Sequence, residues 1–125
     1  MKVMIVDDHT EMRRVLMTIC LVAKIEPMEF IECETGEDAV HLYSNHSPDC
    51  VLMDFQLKTD MNGIIASEQI ITQDSDAKII IVSSDDSNML REKVGTLSLL
   101  GFISKANLSE IIPILQTIDK QSDRS

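Results

Sequence analysis

Only four glycines occur in this 125-residue chain, and neither GxxxxGK[ST] nor GxGxxG can be found among them. The chain therefore lacks the glycine-rich loops with which ordinary nucleotide binders cradle phosphates. Basic residues are also scarce: 11 Lys and Arg face 21 Asp and Glu, for a net charge of −10. Binding to a phosphodiester backbone needs a basic stripe, and with none visible no direct nucleic-acid contact is expected. No apolar run approaches the roughly 20 residues that a membrane span requires, so no membrane insertion is expected. The opening "MKVMIVDD" meets two acids too soon to be a signal peptide. Cys20, Cys33 and Cys50 make an odd count without metal-ligand spacing, and each sits in an apolar segment. They read as buried thiols in a reducing, cytoplasmic setting.

What the chain does contain is alternation. Its balance of 44% hydrophobic and 26% charged residues is that of one globular domain. That domain is placed at 1–120, with a polar tail at 121–125. Short apolar runs at 2–6, 28–33, 50–54, 78–83 and 100–104 predict five strands. Three of these runs are nearly continuous, the mark of strands buried on both faces of a parallel sheet. Helical spacing fills the gaps: Met12, Val15, Leu16 and Ile19 form one stripe, and Leu108, Ile111, Ile112 and Leu115 another. Thr35 with Asp38 resembles a capping box, and Ser87 and Asn107 are expected caps of the fourth and fifth helices. Pro113 inside the fifth helix is expected to remove a hydrogen bond and bend it. Five strand–helix pairs joined by short links imply right-handed crossovers and a doubly wound α/β fold.

Ligands of such sheets bind beyond the carboxyl ends of the strands. The first strand is followed there by Asp7 and Asp8. The third ends on Asp54, the fourth on Ser83 and Ser84, and the fifth leads to Lys105. An acid after a strand is often only a turn or cap residue, and Asp8 could serve as a cap. Three acids on one rim are another matter, because their mutual repulsion disfavours ionisation unless a cation joins them. Mg²⁺ suits such a site, with Mn²⁺ as an alternative. Asp54 is expected at the open mouth of the site rather than buried, acting as nucleophile toward a phosphoryl group. Lys105, the Ser83 hydroxyl and the metal would stabilise charge on the phosphoryl oxygens. His9, His41 and His46 share no ligand spacing, and no metal role is expected of them.

The stretches "IVDDH" (5–9), "PDCVLMD" (48–54), "NG" (62–63), "IIIVSS" (79–84) and "GFISKA" (101–106), in this order, resemble the receiver domain of two-component response regulators. The resemblance runs over residues 1 to about 118 and is chemotaxis-receiver-like. It implies a flavodoxin-like (βα)5 fold with strand order 2-1-3-4-5. It casts Asp54 as the phosphoacceptor and Asp7, Asp8, Asp54 and the Gln56 backbone carbonyl as metal ligands. Ser83 becomes the switch hydroxyl, Lys105 the phosphate-binding lysine and Phe102 the aromatic switch residue. The donor it implies is a phosphohistidine on a sensor histidine kinase or a histidine phosphotransfer protein. Output would pass to a downstream protein, or to a second copy, through the face of the fourth helix, fifth strand and fifth helix. With only a polar tail following that helix, a stand-alone switch is expected.

Three departures stand out. "DFQLKTDMNG" has no proline after the acceptor and one extra residue before Gly63. Lys105 is followed by Ala106 where receivers usually have proline, so a trans bond is expected, cis costing about 2.5–4 kcal/mol without proline. The altered loop keeps a second reading open, a pseudo-receiver that binds partners without phosphorylation. A phosphatase turning over through an aspartyl-phosphate would want an acid two residues after its nucleophile. Gln56 stands there and cannot act as general acid or base, so no enzyme is expected beyond the domain's own phosphorylation and dephosphorylation.

Overall fold

The computed structural model describes residues 1–84 and 98–122. Strands β1 (Lys2–Val6), β2 (Glu29–Cys33), β3 (Cys50–Asp54), β4 (Ile79–Ser83) and β5 (Gly101–Ser104) form one sheet in the order β2-β1-β3-β4-β5. Every neighbouring pair is parallel. The fold is the expected doubly wound, flavodoxin-like one. β3 and β4 are buried throughout and β1 over Val3–Val6, whereas the edge strands β2 and β5 are partly exposed. That is why three of the runs read as continuously apolar.

Alternate residues feed two cores. Met4, Val6, Val51, Met53, Ile79 and Ile81 pack with Ala39 and Tyr43 of α2 (Gly36–His46) and Ala66 and Ile70 of α3 (Gly63–Gln73). On the other face Val3, Ile5, Leu52, Ile80 and Val82 meet Leu16 and Cys20 of α1 (Thr10–Val22). The C-terminal helix (Ile111–Ser122) adds Ile111, Leu115 and Ile118 to that core. Each fully buried Ile or Leu contributes about 1.5–3 kcal/mol. The three cysteines are free and buried, and burial pushes their thiols up to about 12.

Several local expectations need correction. Val15 is 45% exposed, while Arg13 is buried beside Leu16 and Cys20, so the inner stripe of α1 is rotated from the one predicted. Asp8 does not cap α1; His9 occupies that position. Thr35 does cap α2, its hydroxyl accepting from the Asp38 N–H at 3.0 Å. Ser104 caps a 3₁₀ segment (Lys105–Glu110) by accepting from the Ala106 N–H, and Asn107 carries a break inside it (φ −130°, ψ 42°). Pro113 is only the third residue of its helix. An N–H there would have no partner within the helix, so proline costs it nothing. The Lys105–Ala106 bond is trans. The C-terminal helix reaches Ser122, inside the segment expected to be tail. Ser87 and the fourth helix fall outside the described residues. No helix among the described residues is long and apolar enough to cross a membrane.

Candidate functional site

Register explains how residues so far apart in sequence meet. Val6 lies beside Met53, Asp54 beside Val82, and Ser83 beside Ser104. The residues at or just past these pairs, Asp7, Asp54, Ser83 and Lys105, therefore share one end of the sheet. Lys105 Nζ stands 3.5 Å from Asp54 Oδ1 and 3.6 Å from Asp7 Oδ2.

Asp54 does not sit at an open mouth. It is only 2% exposed, and Asp7 and Ser83 are fully buried. Lys105, itself only 23% exposed, supplies a cation beside the two carboxylates, which lets them stay within the fold. Burial first, and the Asp7 charge second, raise the Asp54 carboxyl from 3.8 to about 6. Opposing this rise, the Gln56 N–H donates to Asp54 Oδ1 at 3.1 Å, and Lys105 lies alongside.

The glycine of "NG" has a steric reason. A Cβ on Gly63 would lie 2.2 Å from the carbonyl oxygen of Asp54, so only glycine lets α3 begin this close to Asp54. Its N–H donates to the Phe55 carbonyl at 3.2 Å. Asn62 caps α3, its side chain accepting from the Ile64 and Ile65 N–H groups. The extra-length loop is thus closed at both ends.

Three contributors escaped sequence reasoning. Arg13 donates from Nη1 to the Asp7 carbonyl at 2.7 Å and from Nε to Glu32 at 3.0 Å, so it pins the chain that carries both acids. Lys58, on the long loop, reaches to 3.5 Å from Asp8 Oδ2. His9 Nδ1 lies 3.2 Å from Asp7 Oδ1 and 3.1 Å from Asp8 Oδ1. Spacing rules look for ligands a helical turn or a loop apart, and here the signal was three adjacent residues in a turn.

Whether a divalent cation fits can be judged from the orphaned atoms. Asp7 Oδ2 and both Asp8 side-chain oxygens are buried without a hydrogen-bond partner among the described residues. Hard carboxylate oxygens that accept no hydrogen bond there, although Lys105, Lys58 and His9 stand 3.1–3.6 Å away, suit a hard divalent ion. The residues therefore fit the metal, and Asp7, Asp8 and His9 form a group able to hold one. The Gln56 side chain is not idle either: its Oε1 accepts from the Ser84 hydroxyl at 2.7 Å. Phe102 is partly buried against the core on the α2–α3 side and pairs in register with Ile81. A groove lined by Glu37, Val40, His41, Ser44 and Met61 lies between α2 and α3, and none of the carboxylates above lines it.

A parallel sheet in this order, with acids from two strands and a lysine from a third at one end, defines a receiver-type site. The sequence matches the response regulator receiver domain over residues 3–116, and the chain belongs to that family of two-component signalling proteins. It is 35% identical to the transcriptional regulatory protein LiaR of Bacillus subtilis over 122 residues, 95% of this chain and 56% of LiaR. It is 37% identical to the chemotaxis protein CheY of the same organism over 83 residues, 66% of this chain and 67% of CheY. The chain thus spans little more than half of LiaR. Among solved structures it is similar to a LuxR-family DNA-binding response regulator from Staphylococcus aureus, with TM-score 0.81 and 18% identity over 94% of this chain and 98% of that one. Chemotaxis protein CheY4 of Vibrio cholerae gives TM-score 0.79 and 18% identity over 94% and 97%. At such identities the structures establish the fold alone.

Proposed function

We propose that the chain is a phosphorylation-controlled switch that accepts a phosphoryl group on Asp54 from a phosphohistidine donor. The observation that carries this reading is the buried pair Asp7–Asp54 with Lys105 standing 3.5–3.6 Å from both. An ionised Asp54 oxygen attacks phosphorus, the bond from phosphorus to the histidine nitrogen breaks, and that nitrogen keeps the electron pair. Lys105 donates to the non-bridging oxygens, and the Ser83 hydroxyl is the second donor. Asp7, Asp8, Asp54 and the Gln56 carbonyl are the groups that would hold Mg²⁺ or Mn²⁺. Such an ion, when bound, neutralises charge between the carboxylates and the incoming phosphate. With Gln56 two residues beyond the acceptor, no side chain there acts as a general base for rapid turnover. The domain works in the cytoplasm, opposite a sensor histidine kinase or a histidine phosphotransfer protein. It passes its signal to a protein partner or a second copy through the surface around β5 and the C-terminal helix. Ser83 and Phe102 are the switch residues.

A pseudo-receiver is the second reading, favoured by Lys58, a cation already beside Asp8. Incubation with acetyl phosphate and Mg²⁺, followed by intact mass, separates the two. One added phosphate that is lost in Asp54→Asn and in chelator is expected. No addition to the wild type would favour the pseudo-receiver, and unchanged addition to the Asn variant would overturn the assignment of Asp54.

A further inference from the structure

The placement of His9 bears on which ion the site takes, an inference that rests on the metal reading above. β1 ends at Val6, and the His9 backbone N–H donates back to Asp7 Oδ1 at 2.8 Å. This turn brings the imidazole over two acids that a straight strand would have kept on opposite faces. Nδ1 then stands 3.2 Å from Asp7 Oδ1 and 3.1 Å from Asp8 Oδ1, and one ligand atom from each residue lies within 4.8 Å of the others. Two atoms bound at right angles to one ion, each about 2.1 Å from it, sit about 3.0 Å apart. Hydrogen bonding does not account for both contacts. Nδ1 carries at most one hydrogen, its aligned partner is Asp7 Oδ1, and among the described residues both Asp8 oxygens lack a hydrogen-bond partner, Lys58 Nζ standing 3.5 Å from Oδ2. The buried Asp7 Oδ2 likewise accepts no hydrogen bond among the described residues, with Lys105 Nζ 3.6 Å away. The imidazole is 60% exposed, so it can adjust to an ion without disturbing the fold.

We propose that His9 Nδ1 is a ligand of the ion bound at Asp7 and Asp8, and that it shifts the site's preference from Mg²⁺ toward first-row transition ions. Mg²⁺ holds to oxygen and water and gains little from a nitrogen donor. Imidazole nitrogen suits the later divalent ions, whose affinities rise along the row from Mn²⁺ through Co²⁺ to Ni²⁺ and Cu²⁺.

The test titrates the full metal-stripped chain with Mg²⁺ and, separately, Co²⁺ by calorimetry, using wild type, His9→Gln and Asp8→Asn. Glutamine keeps an N–H donor but loses the ring nitrogen, so an ion-pair role and a ligand role separate. His9→Gln should weaken Co²⁺ by about tenfold or more, as losing even an outer partner of a metal site commonly does, and leave Mg²⁺ within about twofold. In the wild type, Co²⁺ should shift the His9 imidazole resonances by direct bonding, with His41 and His46 as internal references. An equal loss for both ions, no loss for either, or a His9 ring untouched by Co²⁺ would overturn the proposal while leaving the metal reading intact. Failure of the wild type to bind either ion, or binding untouched by Asp8→Asn, would overturn the metal reading and this proposal with it.

Discussion

Replacing the Asp54 carboxylate should make the metal-free protein more stable. Asp54 titrates at about 6 in the fold against an ordinary 3.8, chiefly because it is buried and secondly because Asp7 is near. A raised carboxylate means that the native state binds the proton more tightly than the unfolded chain does. Stability therefore falls as pH rises from 3.8 to about 6, and the loss is complete above that. Each factor of ten in proton affinity is worth about 1.4 kcal/mol, so an ionised Asp54 costs the fold about 3 kcal/mol. In Asp54→Asn the amide keeps the shape and takes no charge. Lys105 loses one of its two carboxylates but keeps Asp7 at 3.6 Å, which trims the expected gain to about 2–3 kcal/mol. For a chain of this size that is a rise in Tm of roughly 5–15 °C. Urea unfolding of Asp54→Asn and wild type, followed by circular dichroism in chelator, measures it across pH. The gap should be widest at neutral pH and close below about pH 4. Adding Mg²⁺ should narrow it by stabilising the wild type preferentially. An Asn variant no more stable at neutral pH, or a gap that persists in acid, would refute the reasoning.

Gly63→Ala would put a Cβ 2.2 Å from the Asp54 carbonyl oxygen; the loop must shift, and a loss of about 1–3 kcal/mol is expected in urea midpoints together with weaker phosphate uptake. Arg13→Ala leaves the Asp7 carbonyl and Glu32 without their donor, for a loss of about 2–4 kcal/mol in thermal unfolding. Arg13→Lys should rescue little of it, since one ammonium cannot reproduce the fork. Lys58 is 75% exposed, so Lys58→Gln should change stability by no more than about 0.5 kcal/mol. Removing that cation from Asp8 should tighten Mg²⁺ about twofold to fivefold by calorimetry, and added salt should shrink the gain.

The sheet was legible because a strand covered on both faces has to be apolar at every position, as Ile79–Val82 are. Once strands were placed, topology alone sent Asp7, Asp54 and Lys105 to one end. Legibility stopped where a contact depends on what a neighbour supplies. Arg13 is buried because the Asp7 carbonyl and Glu32 receive its guanidinium, and no helical period announces that. Its burial also displaces Val15, which periodicity alone put inside. Asp54 looked too costly to bury, and the cost is real; a lysine arriving from the far end of β5, two strands later in the chain, makes it tolerable. His9 was discounted because the three histidines share no ligand spacing, and the turn that sets it beside Asp7 and Asp8 begins one residue past the strand's end.

Where a phosphoryl signal leaves the site follows from which of its supports can yield. In the proposed switch, the new dianion pulls on Lys105 and Ser83. β3 cannot respond: all five of its residues are buried, with neighbours on both edges. β1 is held the same way, and Arg13 ties its end to Glu32. β5 is an edge strand of four residues, half of them only partly buried, and it carries Phe102 as well as the chain leading to Lys105. It pairs with β4 at Ser83–Ser104 and Ile81–Phe102, so a shift at the site's end of that ladder is felt two pairs away. Phe has no hydroxyl to satisfy, so turning its ring inward carries no unpaired polar group. Inverting a population from one in ten to ten to one needs about 2.7 kcal/mol. Beryllofluoride, which mimics the phosphoryl group, should therefore shift amide resonances along β4, β5 and the C-terminal helix as well as around Asp54. Shifts confined to the loops at Asp7 and Asp54, with residues 98–118 unmoved, would mean that the signal takes another route.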